Sequence, residues 1–474
     1  MIHENTKTLH DSLRTAKVTD ASGRLADPRG LRGQPIEDLV YTAVFSGDDA
    51  TKEEARKLIH QFARETGAIP SSILPLYEAI GRAELKPAFT VPAHNIRALT
   101  YDVCRALFRA AMRNDAGAFV FEIARSEIGY SEQRPGEYAA CVLAAAIKEG
   151  FQGPVFIQGD HFQASAKRWF GSEREKERKA LEALIDEAIA AEFYNIDIDT
   201  STLVDLKYPT IDEQQRENYE GTAHLTKYIR AREPKGVEIS IGGEIGEVGK
   251  HNTSPEEFRA YVSGLQKLTP GIKGISKVSI QTGTSHGGVP LPDGSIAKVK
   301  IDFATLRTIS KIAREEYKLA GAVQHGASTL PEEVFDEFPK NDTAEIHLAT
   351  AFQNMIYDHP SFPAEMHGEI AAFCREKCAD ERKEGETDEQ FIYKTRKKAL
   401  GPFKKRMWHL PDDVKGAIVG DLEKKFEFLM RKLGAVNTKE IVNRYVKVEA
   451  TRPEFAGGAK LQPISALVVE GEGE

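Results

Sequence analysis

The sequence predicts an α/β protein built on a (β/α)8 TIM barrel, with additional helical regions at both ends. Three observations carry the prediction. From Lys86 onward, short apolar runs alternate with longer amphipathic ones. The alternation recurs until eight apolar runs have passed, the strand number of a closed parallel barrel. Polar residues follow several of these runs, where a barrel gathers the carboxyl ends of its strands on one face. A doubly wound open sheet is the alternative topology, and the strand count and polar placement favour the barrel.

Residues 1–85 read as an N-terminal helical extension. Lys52 to Glu65 is charged on one side and carries Ala55, Leu58, Ile59 and Phe62 at helical spacing, and Ser71 to Ile80 reads as a second helix. This region shows no chemistry motif. The barrel is placed at 86–358. Its strands are expected at Pro87–Val91, Ala118–Ile123, Pro154–Gln158, Phe193–Ile198, Val237–Ile241, Ser276–Gln281, Gly321–Gln324 and Ala344–Leu348. Helices are expected between them at Thr100–Arg113, Pro135–Glu149, Glu173–Ala191, Glu213–Arg232, Ser254–Leu268 and Ala304–Glu316. The seventh interval, Leu330–Phe338, is short for a helix. Residues 359–474 form a C-terminal helical region and tail, with helices expected at Glu365–Lys377, Asp388–Lys398, Asp412–Leu433 and Thr438–Val446. Its many lysines and arginines are balanced by acids, the mark of a solvated helical face rather than of nucleic-acid binding.

A length of 474 residues exceeds what one ordinary domain needs, which fits a core with sizeable additions. Hydrophobic residues make up 41% and charged residues 29%, as in a water-soluble globular chain. The net charge of −8 speaks against a nucleic-acid partner. The longest apolar stretches fall far short of a membrane span, and the first residues lack an apolar signal core, so no membrane partner and a cytoplasmic location are expected. Cys104, Cys141, Cys374 and Cys378 read as reduced thiols. Cys374 and Cys378 have the spacing of half a zinc site, but no second pair follows.

The chemistry is expected at three strand ends. Gly-Pro-Val-Phe-Ile-Gln-Gly-Asp-His (153–161) places Asp160 and His161 at the end of an apolar run. Two Gly-flanked segments later in the chain carry His286 and His325. A lone histidine after a strand is more often a hydrogen-bonding residue than a ligand. Three of them at ends that share one barrel face can converge on a divalent metal and leave a position open for substrate. Such a metal polarises a carbonyl, and Asp160 beside it can move a proton on a bound hydroxyl. Gly283-Thr-Ser-His-Gly-Gly288 and His325-Gly-Ala-Ser328 offer runs of backbone N–H suited to anions, or are simply tight loops. Gly242-Gly-Glu-Ile-Gly-Glu-Val-Gly249 superficially matches a dinucleotide fingerprint. Because the next helix starts several residues later, it reads as a mobile acidic loop in which Glu244 and Glu247 reach the metal, move a proton, or are solvated.

Taken together and in this order, Pro92-Ala-His-Asn95, Asp160-His161, Asn195-Ile-Asp-Ile-Asp-Thr200, Gly283-Thr-Ser-His-Gly287, His325-Gly-Ala-Ser328 and Ile346-His-Leu-Ala-Thr350 resemble the class II, metal-dependent fructose-bisphosphate and tagatose-bisphosphate aldolase family. The resemblance implies Zn2+ held by His161, His286 and His325, with another divalent metal as the alternative. It implies Asp160 as the residue that moves the proton of the C4 hydroxyl, and Glu247 as the acid of the loop after strand five. It places Asn95, Gly287, Ser328, His347 and Thr350 around the substrate and its phosphate. It also implies a sugar or sugar-phosphate substrate and, by analogy, a homo-oligomer.

The departures are specific. No lysine follows His286-Gly287 until Lys298, whereas the family often places one there against phosphate. Thr329 follows Ser328 in place of a glycine, His347 takes the place of an asparagine that touches the ketose, and Ala351 replaces an acid. The expected function is therefore a zinc-dependent class II aldolase-type lyase that cleaves or forms the C3–C4 bond of a ketose (bis)phosphate through an enediolate. The alternative is a ketose C4 or C3 epimerase on the same scaffold, toward which His347 and the altered phosphate motif lean. A non-catalytic aldolase-like subunit is disfavoured by the retained Asp160 and histidines.

Overall fold

The computed structural model describes residues 2–245, 251–283, 301–328, 330–448, 463 and 467. Eight parallel strands close into a barrel, as expected: β1 (Val91–Asn95), β2 (Val120–Ala124), β3 (Ile157–Gln163), β4 (Asn195–Asp199), β5 (Ser240–Glu244), β6 (Lys277–Ile280), β7 (Ala322–Gln324) and β8 (Glu345–Leu348). Each pairs in parallel with the next, and β8 closes on β1 with His347 opposite Ala93.

The helices between strands form where the apolar spacing places them. Thr100–Arg113 buries Val103, Cys104, Leu107, Phe108 and Ala111. Pro135–Glu149 starts on a proline, whose fixed φ suits a first turn, and stops at Gly150, which supplies the left-handed C-cap. Capping boxes start Ile211–Arg232, from Thr210 with Glu213, and Pro255–Leu268, from Ser254 with Glu257. The seventh interval holds only the short turns Glu332–Val334 and Glu337–Lys340.

All eight strands start later than the apolar runs suggest, and three of them by three residues or more. β1 starts at Val91, not Pro87; Thr90 instead donates its N–H to the Leu433 carbonyl of the C-terminal region. The third run divides. Gly153–Val155 pairs with Ala68–Pro70 in a separate two-stranded parallel sheet, and the barrel strand begins at Ile157. β5 begins at Ser240 and runs to Glu244. The physical reason is common to all three. In this barrel the inward-facing residues toward the strand ends are polar, so apolarity marks the entry of a strand and not its full length.

Helices from both termini pack onto the same apolar core. Thr6–Thr15, Gln34–Phe45 and Asp49–Thr66 contribute Leu9, Leu39 and Phe62, and the long helix Asp412–Lys432 contributes Leu422 and Phe426. Leu74–Gly81 brings Tyr77 beneath the barrel as part of a second cluster with Val91 and Phe156. The helix Leu400–Trp408 was not anticipated, because Gly401 and Pro402 interrupt the pattern; both lie in its first turn, where a proline is tolerated. No helix among the described residues is long and apolar enough to cross a membrane.

Candidate active site

Asp160 and His161 are neighbours in sequence, and in a regular strand their side chains would point to opposite faces. β3 avoids this with a bulge. The register to β4 shifts between Gly159 and Phe162, and His161 adopts φ +38°. A positive φ is strained for a residue with a Cβ, and bulges of this kind re-aim side chains beside functional sites. Gly159 makes room for it, because a Cβ there would lie 2.4 Å from the Phe162 ring. Both Asp160 and His161 are thereby buried at the carboxyl end of the barrel.

His325 follows β7 directly. Its ring lies 4.3 Å from that of His161 and 4.1 Å from that of His347, and its Nε2 is 2.8 Å from the Ser279 hydroxyl on β6. Asp160, His161 and His325 offer ligand atoms that all lie within 4.8 Å of one another. Two imidazoles at that separation suit a divalent metal of the zinc type, with the Asp160 carboxylate beside it. The surroundings fit as well. His161 Nδ1 lies 3.0 Å from Asp199 Oδ2 and 3.0 Å from Glu244 Oε2, the carboxylate support that fixes the ring of a metal-binding histidine. The other expected ligand, His286, lies outside the described residues, as do Glu247 and Gly287.

The expected substrate-side residues fall around this group. Asn95, the last residue of β1, donates its amide to Asp160 Oδ2 at 3.3 Å. His347 is fully buried on β8, with Nδ1 3.1 Å from Asp160 Oδ1 and Nε2 2.7 Å from Glu345 Oε1. The Ser328 hydroxyl accepts the Ala349 N–H at 2.6 Å, which brings Ser328 beside Thr350, the first residue of the helix Thr350–Tyr357. Ser328 and a helix start thus share one corner of the barrel mouth.

The sequence marks Glu244 but not Glu122, Glu345 or Lys277, and it marks Asp197 and Asp199 only as part of the Asn195–Thr200 motif. Asp197 and Asp199 alternate on β4, and Glu345 and His347 alternate on β8. That two-residue period on one strand face is the signal that points inward. Lys277 Nζ lies 2.8 Å from Asp197 and 2.9 Å from the Gln158 amide oxygen, and it also pairs with Glu345. Gln158 in turn donates to Glu122 at 2.9 Å and to Glu345 at 3.0 Å. Barrel interiors are ordinarily filled by branched apolar residues. Here, among the described residues, Glu122, Asp160, Asp197, Asp199, Glu244 and Glu345 face Lys277 and the histidines, a cluster of acids that suits a cation. Gly242 and Gly243 belong to β5, where a Cβ would meet Asp197 Oδ1 at 2.2 Å and the Tyr261 hydroxyl at 2.4 Å. These two glycines serve close packing and not a nucleotide.

The charges are strongly coupled. Burial opposes ionisation of Asp160, but the imidazoles of His161 and His347 outweigh it and hold the carboxyl far below its usual range. Burial likewise opposes charge on His161, yet Asp160 and Glu244 raise its pKa well above the ordinary value. Burial and the neighbouring Asp199 push Glu244 up to about 7, with His161 partly offsetting them. The contribution of Glu244 to stability is therefore fully present below about pH 4.5, its ordinary value, and is lost as the pH rises to about 7. Glu244→Gln, which mimics the neutral acid, is expected to gain stability relative to wild type across that window and to level off above it. Urea denaturation of the chelator-treated proteins from pH 4 to 8 reads this difference, and a flat difference would show that Glu244 is not held neutral.

Known proteins place the fold. The model of the family described as "Fructose-bisphosphate aldolase class-II" matches residues 78–407. No curated protein sequence matches. Among solved structures, the fructuronate-tagaturonate epimerase UxaE from Cohnella laeviribosi, in a glycerol complex, is similar over 83% of this chain and 86% of its own, at 12% identity and a TM-score of 0.51. A fructose-bisphosphate aldolase from Campylobacter jejuni covers 78% of this chain and 97% of its own, at 17% identity and a TM-score of 0.47. The YdjI aldolase from Escherichia coli K12 covers 77% and 97%, at 11% identity and a TM-score of 0.43.

Proposed function

The chain belongs to the class II fructose-bisphosphate aldolase family, and we propose that it is a zinc-dependent aldolase-type lyase that cleaves or forms the C3–C4 bond of a ketose through an enediolate. The observation that carries this is the convergence of Asp160, His161 and His325 at the carboxyl end of the barrel. His161 and His325 hold the metal, with His286 as the third imidazole. When bound, the metal supplies Lewis-acid stabilisation of the negative charge that develops on the ketose oxygens. Asp160 takes the proton of the C4 hydroxyl as the C3–C4 bond breaks, leaving C4 as an aldehyde and the bonding pair on the C3 side. Asn95 and His347 fix the Asp160 carboxylate for that transfer. Glu244, 3.0 Å from His161, would return a proton to the C3 side, a role for which Glu247 is the alternative. Ser328, Thr350 and Gly287 orient the far end of the sugar.

A second function, epimerisation of a ketose at C4 or C3, is favoured by the charges at the barrel mouth. Arg97 after β1 is paired with Glu127 at 2.7 Å, and the fully buried Arg125 after β2 is paired with Glu177. The Gly288–Asp293 segment has no lysine. These features suit an unphosphorylated ketose, whose aldehyde fragment rotates and re-adds without leaving.

The test is a set of incubations of zinc-loaded protein with fructose, tagatose, their 1-phosphates and their 1,6-bisphosphates, followed by NMR. Zinc-dependent release of triose establishes the lyase. Zinc-dependent interconversion of ketoses without free triose establishes the epimerase. No zinc-dependent change with any of them overturns both.

A further inference from the structure

A continuous hydrogen-bonded chain runs down the inside of the barrel from Asp160 to its opposite end. His347 bridges Asp160 above and Glu345 below, with 3.1 Å and 2.7 Å contacts through its two ring nitrogens. Glu345, the first residue of β8, accepts through Oε1 from His347, Gln158 and Lys277. Its other oxygen, Oε2, accepts the hydroxyl of Tyr77. Tyr77 is fully buried on the helix Leu74–Gly81, outside the barrel strands, and is among the residues around a cavity of about 270 Å³, with Glu78, Gln266 and Lys273. A residue ahead of the first barrel strand thus reaches the acid that seats His347.

We infer that Tyr77 is a positioning residue for the reaction: by holding Glu345 Oε2 it fixes the rotation of the Glu345 carboxylate, which sets the His347 ring against Asp160. The physical reason lies in the geometry of a carboxylate. With Oε2 tied to Tyr77, Oε1 is aimed at His347, Gln158 and Lys277 together. Without that tie, the group can turn about its last side-chain torsion, a broad and roughly two-fold one. Hydrogen-bond partners behind metal ligands commonly matter by about 10- to 100-fold in activity, and the lower end of that range is the expectation for Tyr77, which stands behind the acid/base residue. The inference rests on Asp160 as the acid/base residue of the proposed function, and its test is separable from that assignment.

The test uses the zinc-loaded full chain labelled with ¹⁵N-histidine. The His347 imidazole signals are assigned by their loss in His347→Gln. In Tyr77→Phe, which keeps the ring and removes only the hydroxyl, they are expected to move or broaden. In Tyr357→Phe they are expected to stay in place. Tyr357 is an equally buried tyrosine whose hydroxyl donates to the Arg396 carbonyl, so it controls for the loss of a buried hydroxyl elsewhere. On whichever ketose the wild type converts, Tyr77→Phe is expected to lower kcat about tenfold with KM unchanged, and Tyr357→Phe to leave both unchanged. Unmoved His347 signals in a folded Tyr77→Phe overturn the inference. If no ketose is converted, the proposed function fails, and the His347 signals still decide the role of Tyr77.

Discussion

Asp160→Asn is expected to lower turnover by about 10²- to 10⁴-fold, the usual worth of a positioned acid/base group, while leaving fold and metal content intact. The substitution keeps the shape of the side chain and one acceptor oxygen, enough for either the Asn95 amide, now on Oδ2 at 3.3 Å, or the His347 ring, now on Oδ1 at 3.1 Å, but not for both. What it removes is the ability to take a proton. With no metal bound, His161 and His347 keep Asp160 ionised, and so able to accept a proton, despite complete burial. The check is turnover of the converted ketose beside zinc content and thermal midpoint. Full turnover by a folded, zinc-bound Asp160→Asn would remove Asp160 from the reaction.

His325→Ala is expected to lower zinc affinity by at least about 100-fold, more than the loss of an outer-shell partner ordinarily does. His325 sits immediately after β7, with Ser279 and the rings of His161 and His347 around it. The alanine therefore removes a ligand without removing a strand contact. His161→Ala is expected to lower affinity similarly and to disturb more of the site, because His161 also separates Asp199 and Glu244 from Asp160. Equilibrium dialysis against zinc, with the urea midpoint of the metal-free proteins as control, measures both. Zinc retention by folded His325→Ala would exclude the ligand set.

Much of this is legible in the sequence, and the gaps have physical causes. The barrel could be read because eight apolar runs separated by amphipathic helices leave few other topologies. Strand limits were displaced toward the N-terminus at β1, β3 and β5, because the inward residues that carry the site interrupt the apolar runs: Asn95, Asp160, His161 and Glu244 all lie beyond the stretches that looked like strands. Asp160, His161 and His325 stood out as polar residues beside glycine at the ends of apolar runs. Their adjacency on one face depends on the bulge at His161, which Gly159 hints at but does not specify. Glu122, Glu345 and Lys277 carry no such mark. A charged residue within a short strand looks solvent-facing until barrel closure turns its alternating face inward, as it does for Asp197 and Asp199 or for Glu345 and His347. The role of Tyr77 had no sequence signal, since its partner Glu345 lies 268 positions away.

Whether a metal sits on the barrel imidazoles can be read from the zinc K-edge X-ray absorption spectrum of the zinc-loaded protein. Nitrogen and oxygen neighbours, multiple scattering from imidazole and no sulfur are expected, with the imidazole signal reduced in His325→Ala. A spectrum dominated by sulfur would instead put the metal on thiols such as the buried Cys374 and Cys378 and would overturn the imidazole site.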